Sequence, residues 1–195
     1  MTSRRFSQAI SEGDGISVLV PVGDLEAARR AEEQRAEGVI VWNALEGLRD
    51  AVSLPVLWRA EGSPDEARRC GADACLLSVE RHEEEGELER LADEIAGLGL
   101  EVVVDVKDPE ELELALERID PEIFLLSPRN AEDGQAAHDR ALELLTDVPA
   151  GKLAIADLGG GVRAEVDELE RAGMDAVVVA AGNVTELVGA APPEV

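Results

Sequence analysis

The chain alternates between short apolar runs and longer segments in which apolar residues recur every three or four positions. Eight short runs occur, at residues 16–20, 38–42, 55–58, 73–77, 100–104, 122–126, 152–156 and 175–179. Strands that face solvent on one side alternate apolar and polar residues, whereas strands that are apolar throughout are buried on both faces of a parallel sheet. The pattern therefore predicts eight buried parallel strands.

The segments between these runs carry the signals that start and end helices. Ser63 and Asp108 each precede a proline, which is the order of an N-cap and a first helical residue. Gly71 follows Cys70 at the expected end of a helix, where a left-handed residue is favoured. One apolar stripe, with spacings of three and four, is the clearest: Leu88, Leu91, Ile95 and Leu98. The predicted helices cover about 24–36, 44–52, 63–70, 88–98, 109–119, 135–145, 163–172 and 184–190.

Eight strand–helix units of about 25 residues each predict a minimal (β/α)8 TIM barrel. We expect residues 1–195 to form this single domain, with 1–15 as an N-terminal lead segment. An open doubly wound sheet remains the alternative. An internal echo favours the barrel, because residues 71–78 resemble 173–180, four units further along the chain.

Charge and composition exclude several classes of partner. The chain has 43 acidic and 18 basic residues and a formal charge of −25, so we expect neither nucleic acid nor an anionic membrane to bind. No apolar run approaches the ~20 residues of a membrane span, and the N-terminus lacks the apolar core of a signal peptide. Cys70 and Cys75 are expected to be free thiols. These features predict a soluble cytoplasmic protein, a monomer or a weak homodimer.

Function in such barrels gathers at the carboxyl ends of the strands. The charged residues predicted there are Arg59, Asp105, Lys107, Arg129 and Asp157. They are suited to binding an anionic, hydroxylated ligand, or to closing the barrel as a ring of ion pairs, and both interpretations stay open. Lys107 is the best general acid or base by type, because burial lowers the pKa of an amine. Side-chain alternation turns Trp58 toward the helices, as a packing residue.

Glycines follow the last two predicted strands: Gly159, Gly160, Gly161 and Gly182, with Asn183. Such glycines let backbone N–H groups approach a phosphate at the start of a helix, and they also permit a tight turn. Both interpretations remain open, and a phosphorylated small molecule is the ligand that the first one implies. His82 and His138 lie in charged or alanine-rich contexts typical of a surface. Neither has a partner at metal-ligand spacing, so no metal site is predicted.

Several segments together resemble indole-3-glycerol-phosphate synthase, the tryptophan-pathway lyase that closes the indole ring with loss of CO2 and water. They are residues 45–49 with 54–57, 70–77, 103–108 with 111–112, 157–160 and 175–179, and the likeness extends over about 16–183. The resemblance implies a (β/α)8 barrel of the ribulose-phosphate-binding type and no cofactor.

The family's functional residues carry over only in part. The resemblance places its catalytic Lys at Arg59, and its strand-one Glu and Lys within 18–21, where neither occurs. Its strand-five and strand-seven Glu match Asp105 and Asp157, and its strand-six Arg is retained as Arg129. Because an arginine stays protonated, it hardly donates a proton as a lysine does. We therefore expect a pseudoenzyme whose catalysis is lost or altered and which retains weak binding of phosphate or another anionic metabolite. An active enzyme of the family type, or one acting on another sugar phosphate, is the alternative.

Overall fold

Eight parallel strands close into a barrel in which each strand pairs with the next and β8 pairs with β1. The computed structural model describes residues 5–12, 15–59, 62–82, 86–128, 134–157 and 163–180. The strands are β1 (Ser17–Pro21), β2 (Gly38–Val41), β3 (Val56–Trp58), β4 (Ala74–Ser78), β5 (Glu101–Val106), β6 (Ile123–Leu126), β7 (Leu153–Asp157) and β8 (Ala176–Val178). The closed ring confirms the predicted (β/α)8 barrel and rules out the open sheet.

Helices alternate with these strands along the chain. They are α1 (Phe6–Ser11), α2 (Leu25–Glu33), α3 (Leu48–Ala51), α4 (Pro64–Arg69), α5 (Glu87–Gly97), α6 (Pro109–Arg118), α7 (Gly134–Leu145) and α8 (Arg163–Ala172). The helix predicted at 184–190 lies outside the described residues. Within the described part of the chain, no helix is long and apolar enough to cross a membrane.

Two apolar layers explain why the strands are apolar on both faces. Alternate side chains such as Leu19, Leu57 and Ile155 fill the barrel interior. Their neighbours, including Val20 and Trp58, pack outward against the helices. Side chains alternate along a strand, so one uninterrupted apolar run supplies both layers. The predicted orientation of Trp58 is therefore confirmed.

The short helix α1 closes the amino-terminal end of the barrel. Phe6 and Ile10 are fully buried in the interior cluster, and the Ser7 backbone N–H donates to the Glu101 carboxylate over 3.1 Å. The Ser17 hydroxyl donates to the Ile10 carbonyl over 3.2 Å. Glu101 and Ser17 begin β5 and β1, which places α1 at the opposite end of the barrel from the carboxyl ends of the strands. This helix falls in the lead segment, where the sequence pattern predicted no element.

The helix boundaries follow local chemistry. Asp24 and Asp108 are N-caps whose carboxylates accept from the backbone N–H groups of Ala27 and Glu111, over 2.7 and 2.9 Å. Ser63 occupies the N-cap position of α4 but its side chain makes no capping hydrogen bond there. Gly71 has φ of +75°, the left-handed conformation predicted after α4.

Candidate functional site

The carboxyl ends of β3, β5, β6 and β7 bring four polar side chains together in what we call the mouth: Arg59, Asp105, Ser127 and Asp157. Their positions follow from strand alternation, because each continues the inward face that carries Leu57, Val103, Leu125 and Ile155 below it. Three of the five charged residues predicted at the rim thus meet at the mouth, and Lys107 lies just beyond the end of β5.

An ion pair crosses the mouth. The Arg59 guanidinium contacts the Asp157 carboxylate, although the two residues lie 98 positions apart in the chain. Both side chains are mostly buried. The Arg59 guanidinium also lies 5.8 Å from the centre of the Trp42 ring, within the range of a cation–π interaction. Arg59 therefore connects β3 to β7 and to the end of β2.

Asp105 is the most deeply buried of the mouth's carboxylates, with 6% of its surface exposed. It accepts a hydrogen bond from the Ser127 hydroxyl. Burial raises the pKa of Asp105, and the Ser127 hydrogen bond and the positive charges of Arg59 and Lys107 only partly oppose that effect. A carboxyl whose pKa is raised in this way is suited to exchanging protons with a ligand.

Lys107 does not join the pair that crosses the mouth. Its ammonium contacts the Glu80 carboxylate in the segment that follows β4. Its backbone N–H donates over 2.9 Å to the carboxylate of Glu111 in α6. Lys107, the best acid–base candidate by residue type, is therefore held in an ion pair at the edge of the mouth.

The remaining predicted site residues lie outside the described residues: Arg129, Gly159, Gly160, Gly161, Gly182 and Asn183. The phosphate cup that the glycines would form stays a prediction.

A cavity of about 1240 Å³ opens at the mouth and extends outward over the ends of β3 and β4. Among the described residues that line it, the bases are Arg59, Arg81 and Lys107, and the acids are Glu66 and Asp105. The whole chain has more than twice as many acids as bases, 43 against 18. The lining is thus less acidic than the protein as a whole, although Arg59 and Lys107 contact the carboxylates of Asp157 and Glu80. Three basic side chains around one cavity are compatible with an anionic ligand.

Three contributors to this site were not among the predicted site residues, although each stands at or just after the end of a predicted strand: Trp42, Glu80 and Ser127. Trp42 is 42% exposed, which is unusual for a large apolar residue and marks it in the structure. Their partners depend on which strands face each other. No local pattern encodes that information.

The two histidines differ from each other. His138 in α7 is buried, contrary to the surface position predicted for it, and neither ring nitrogen has a hydrogen-bond partner. The alanines around His138 belong to the face of α7 that packs on the barrel, where Ala137 and Ala141 are also buried. His82 Nδ1 lies 3.4 Å from the Glu87 carboxylate. Across the described ranges, no group of three His, Cys, Asp or Glu side chains is arranged to hold a metal ion.

A closed eight-stranded barrel with charged side chains gathered at the carboxyl ends of the strands defines a (β/α)8-barrel protein with a candidate site at the mouth. The family model for indole-3-glycerol phosphate synthase matches residues 42–184. The chain belongs to the indole-3-glycerol phosphate synthase family.

The fold is also shared with a distant solved structure. The N-acetylmannosamine-6-phosphate 2-epimerase from Clostridium perfringens superposes with a TM-score of 0.68 at 16% sequence identity, over 87% of each chain. Because the two sequences are only 16% identical, this likeness shows that the two proteins share the barrel fold and goes no further.

Proposed function

We propose that this member of the family is a divergent barrel that binds a small phosphorylated or otherwise anionic metabolite at the mouth and does not catalyse the family's ring closure. The observation that carries the proposal is the ion pair between Arg59 and Asp157. The resemblance places the family's proton-donating Lys at Arg59. A guanidinium held by a carboxylate binds and orients anions, but it does not release its proton near neutral pH.

Anion binding is supported by the charges around the cavity. Arg59, Arg81 and Lys107 line it in a protein whose formal charge is −25. An anion approaching from solvent is repelled by most of the surface, so binding requires basic side chains gathered at one place, and two of these three already hold a carboxylate of the chain. Arginine guanidinium groups offer forked donors that match phosphate and carboxylate oxygens.

The loss of ring closure is tested by incubating the purified protein with 1-(2-carboxyphenylamino)-1-deoxyribulose 5-phosphate and following the fluorescence of the indole product. We expect no turnover from the wild type. General acid–base groups of the kind that are missing here accelerate a reaction about 10²–10⁴-fold. Turnover that Asp105→Ala abolishes would contradict the proposal and place the protein among the pathway's active lyases.

Anion binding is tested by thermal unfolding with inorganic phosphate and with ribose 5-phosphate at millimolar concentration. A ligand present at about 100 times its Kd stabilises the folded state by about 2.7 kcal/mol, so weak binding is measurable. We expect both probes to raise the midpoint of thermal unfolding of the wild type, and to raise that of Arg59→Gln much less. The control is Arg30→Gln, since Arg30 lies on the surface of α2 and, among the described residues, pairs with Glu26 of the same helix alone. Equal stabilisation of all three proteins would contradict binding at the mouth.

A second candidate is an enzyme that acts on another small sugar phosphate, with Asp105 and Lys107 as the acid–base pair and Arg59 and Arg129 holding the anion. The burial of Asp105 beside Arg59 and Lys107 favours it, because a carboxylate with a raised pKa is a better base near neutral pH. Ribulose 5-phosphate in D2O tests it by NMR. Exchange of hydrogen next to the carbonyl that Asp105→Asn abolishes and Arg30→Gln retains would establish proton abstraction at this site.

A further inference from the structure

The charges of the four mouth residues do not balance. Arg59 is the only base among them, whereas Asp105 and Asp157 are both acids. The Arg59 guanidinium contacts the Asp157 carboxylate. The ammonium of Lys107, just beyond the end of β5, contacts the carboxylate of Glu80. The two cations that act on Asp105 are therefore each held by another carboxylate of the chain.

The Asp105 carboxylate is buried in the mouth, yet one of its oxygens has no partner. Asp105 is 6% exposed, and its Oδ1 accepts the hydrogen bond from the Ser127 hydroxyl. Within the described part of the chain, no hydrogen bond is donated to Oδ2, and this atom is not sealed inside the protein. Because Asp105 lines the cavity, Oδ2 is available to a ligand there.

The raised pKa of Asp105 shows that its negative charge is only partly compensated. Burial outweighs the Ser127 hydrogen bond and the positive charges of Arg59 and Lys107, and the negative charge of Asp157 adds to the effect of burial. A buried carboxylate is stabilised when an opposite charge and further donors reach it. A protonated amine supplies both at once, because it carries a positive charge and N–H donors.

We propose that the metabolite bound at the mouth is a zwitterion, in which a protonated amine contacts Asp105 Oδ2 and a phosphate or carboxylate is held by the bases of the cavity. This inference rests on the proposed anion binding and names the second charge of the ligand. A ligand with negative charge alone would add to a mouth in which two acids already face one base. Asp105 thus selects among anionic metabolites, favouring those that carry an amine.

Glucosamine 6-phosphate and glucose 6-phosphate are matched probes, because they differ only in having an amino or a hydroxyl group at carbon 2. Calorimetric titration at about pH 7 measures both affinities. We expect the wild type to bind the amino sugar about tenfold more tightly, because a charge-assisted hydrogen bond replaces a neutral one. The net charge of −25 also attracts an amine without a specific contact, so variants have to separate the two effects.

Three variants make this separation. Asp105→Asn removes the charge and keeps the size of the side chain, and we expect it to bind the two probes with similar affinity. Asp93→Asn changes the net charge by the same amount on the exposed face of α5 and should retain the tenfold preference. Asp105→Glu keeps the carboxylate, and we expect it to retain the preference as well. Circular dichroism establishes that each variant is folded.

The outcomes distinguish the zwitterion from the anion site on which it rests. Equal affinity of the wild type for the two probes, or a preference that persists in Asp105→Asn, would overturn the zwitterion and leave anion binding at the mouth in place. Binding of neither probe to the wild type would contradict both. Inorganic phosphate and ribose 5-phosphate carry no amine, so they test the anion site independently.

Discussion

At the scale of the residue, the mouth is defined by which charge contacts which. The sequence was sufficient to predict that Arg59, Asp105, Lys107 and Asp157 lie at the carboxyl ends of strands, because each follows an apolar run. It was not sufficient to predict that Arg59 contacts Asp157 or that Lys107 contacts Glu80. Those pairings depend on the circular order of the strands and on side-chain conformations, which arise only when the barrel closes.

The raised pKa of Asp105 predicts how the stability of the protein depends on pH. Its pKa is raised in the folded protein, so the folded state holds the proton more tightly than the unfolded state, where the pKa is about 3.9. The contribution of Asp105 to the free energy of unfolding therefore falls as pH rises from that value through the folded-state pKa, and the penalty is complete above it. We expect Asp105→Asn to be more stable than the wild type near pH 7, with the difference vanishing toward about pH 3.

Urea unfolding at a series of pH values measures this difference. Asp93→Asn on the exposed face of α5 is the control, and we expect it to follow the wild type at every pH. A variant at Asp105 that is less stable than the wild type at neutral pH would show that the Ser127 hydrogen bond and the nearby cations outweigh burial.

At the scale of the element, the strands and most helices were predicted well, whereas α1 was missed and α3 is shorter than the helix predicted at 44–52. An apolar run has to be buried on both faces wherever it lies, so the eight strands follow from local sequence. Helix α1 has six residues and helix α3 has four, too few for a periodic pattern to emerge. Their positions are fixed by contacts with distant parts of the chain, such as the bond between Ser7 and Glu101.

Phe6 provides the test of α1. Its side chain is fully buried in the barrel interior, so Phe6→Ala should lower the free energy of unfolding by about 3–5 kcal/mol. Gln8→Ala changes an exposed residue of the same helix whose side chain, within the described part of the chain, bonds Glu12 alone, and we expect a change within about 0.5 kcal/mol. Urea denaturation compares the two. Similar small losses would mean that α1 does not contribute to the core.

The N-cap residues Asp108 of α6 and Ser63 of α4 allow a matched comparison of capping. The Asp108 carboxylate accepts from the Glu111 backbone N–H, whereas the Ser63 hydroxyl makes no capping bond although both precede a helical proline. Asp108→Ala should cost about 1 kcal/mol and Ser63→Ala a few tenths at most. Thermal and urea unfolding of both variants measure the difference. A loss for Ser63→Ala as large as for Asp108→Ala would refute this assignment of the caps.

At the scale of the whole molecule, a closed ring of parallel strands carries a strongly negative surface. The barrel could be predicted from the count and length of its strand–helix units. The distribution of charge could not, because it depends on which side chains meet at the mouth. The total of −25 follows from counting residues, whereas the pairing of Arg59 with Asp157 and of Lys107 with Glu80 is seen only in the structure.

The total charge predicts a response to salt. Like charges repel one another in the compact state, and raising the ionic strength from about 10 mM to about 1 M shortens the screening length from about 30 Å to about 3 Å. We therefore expect the midpoint of thermal unfolding to rise by several degrees with NaCl.

Replacing the exposed glutamates Glu33, Glu113 and Glu143 by Gln should raise the midpoint at low salt and reduce its response to NaCl. Calorimetry measures both. A midpoint that falls with NaCl in the wild type would show that ion pairs such as Arg90 with Glu94 outweigh the repulsion.

The contact between Arg59 and Asp157 also has a consequence for affinity. An incoming anion that engages the same Arg59 N–H group has to compete with a carboxylate that is part of the chain and therefore always present at high effective concentration. Asp157 thus behaves as an intramolecular competitor, which lowers the apparent affinity by the free energy of the contact it gives up. The mouth therefore favours anions that bind this guanidinium strongly enough to replace Asp157.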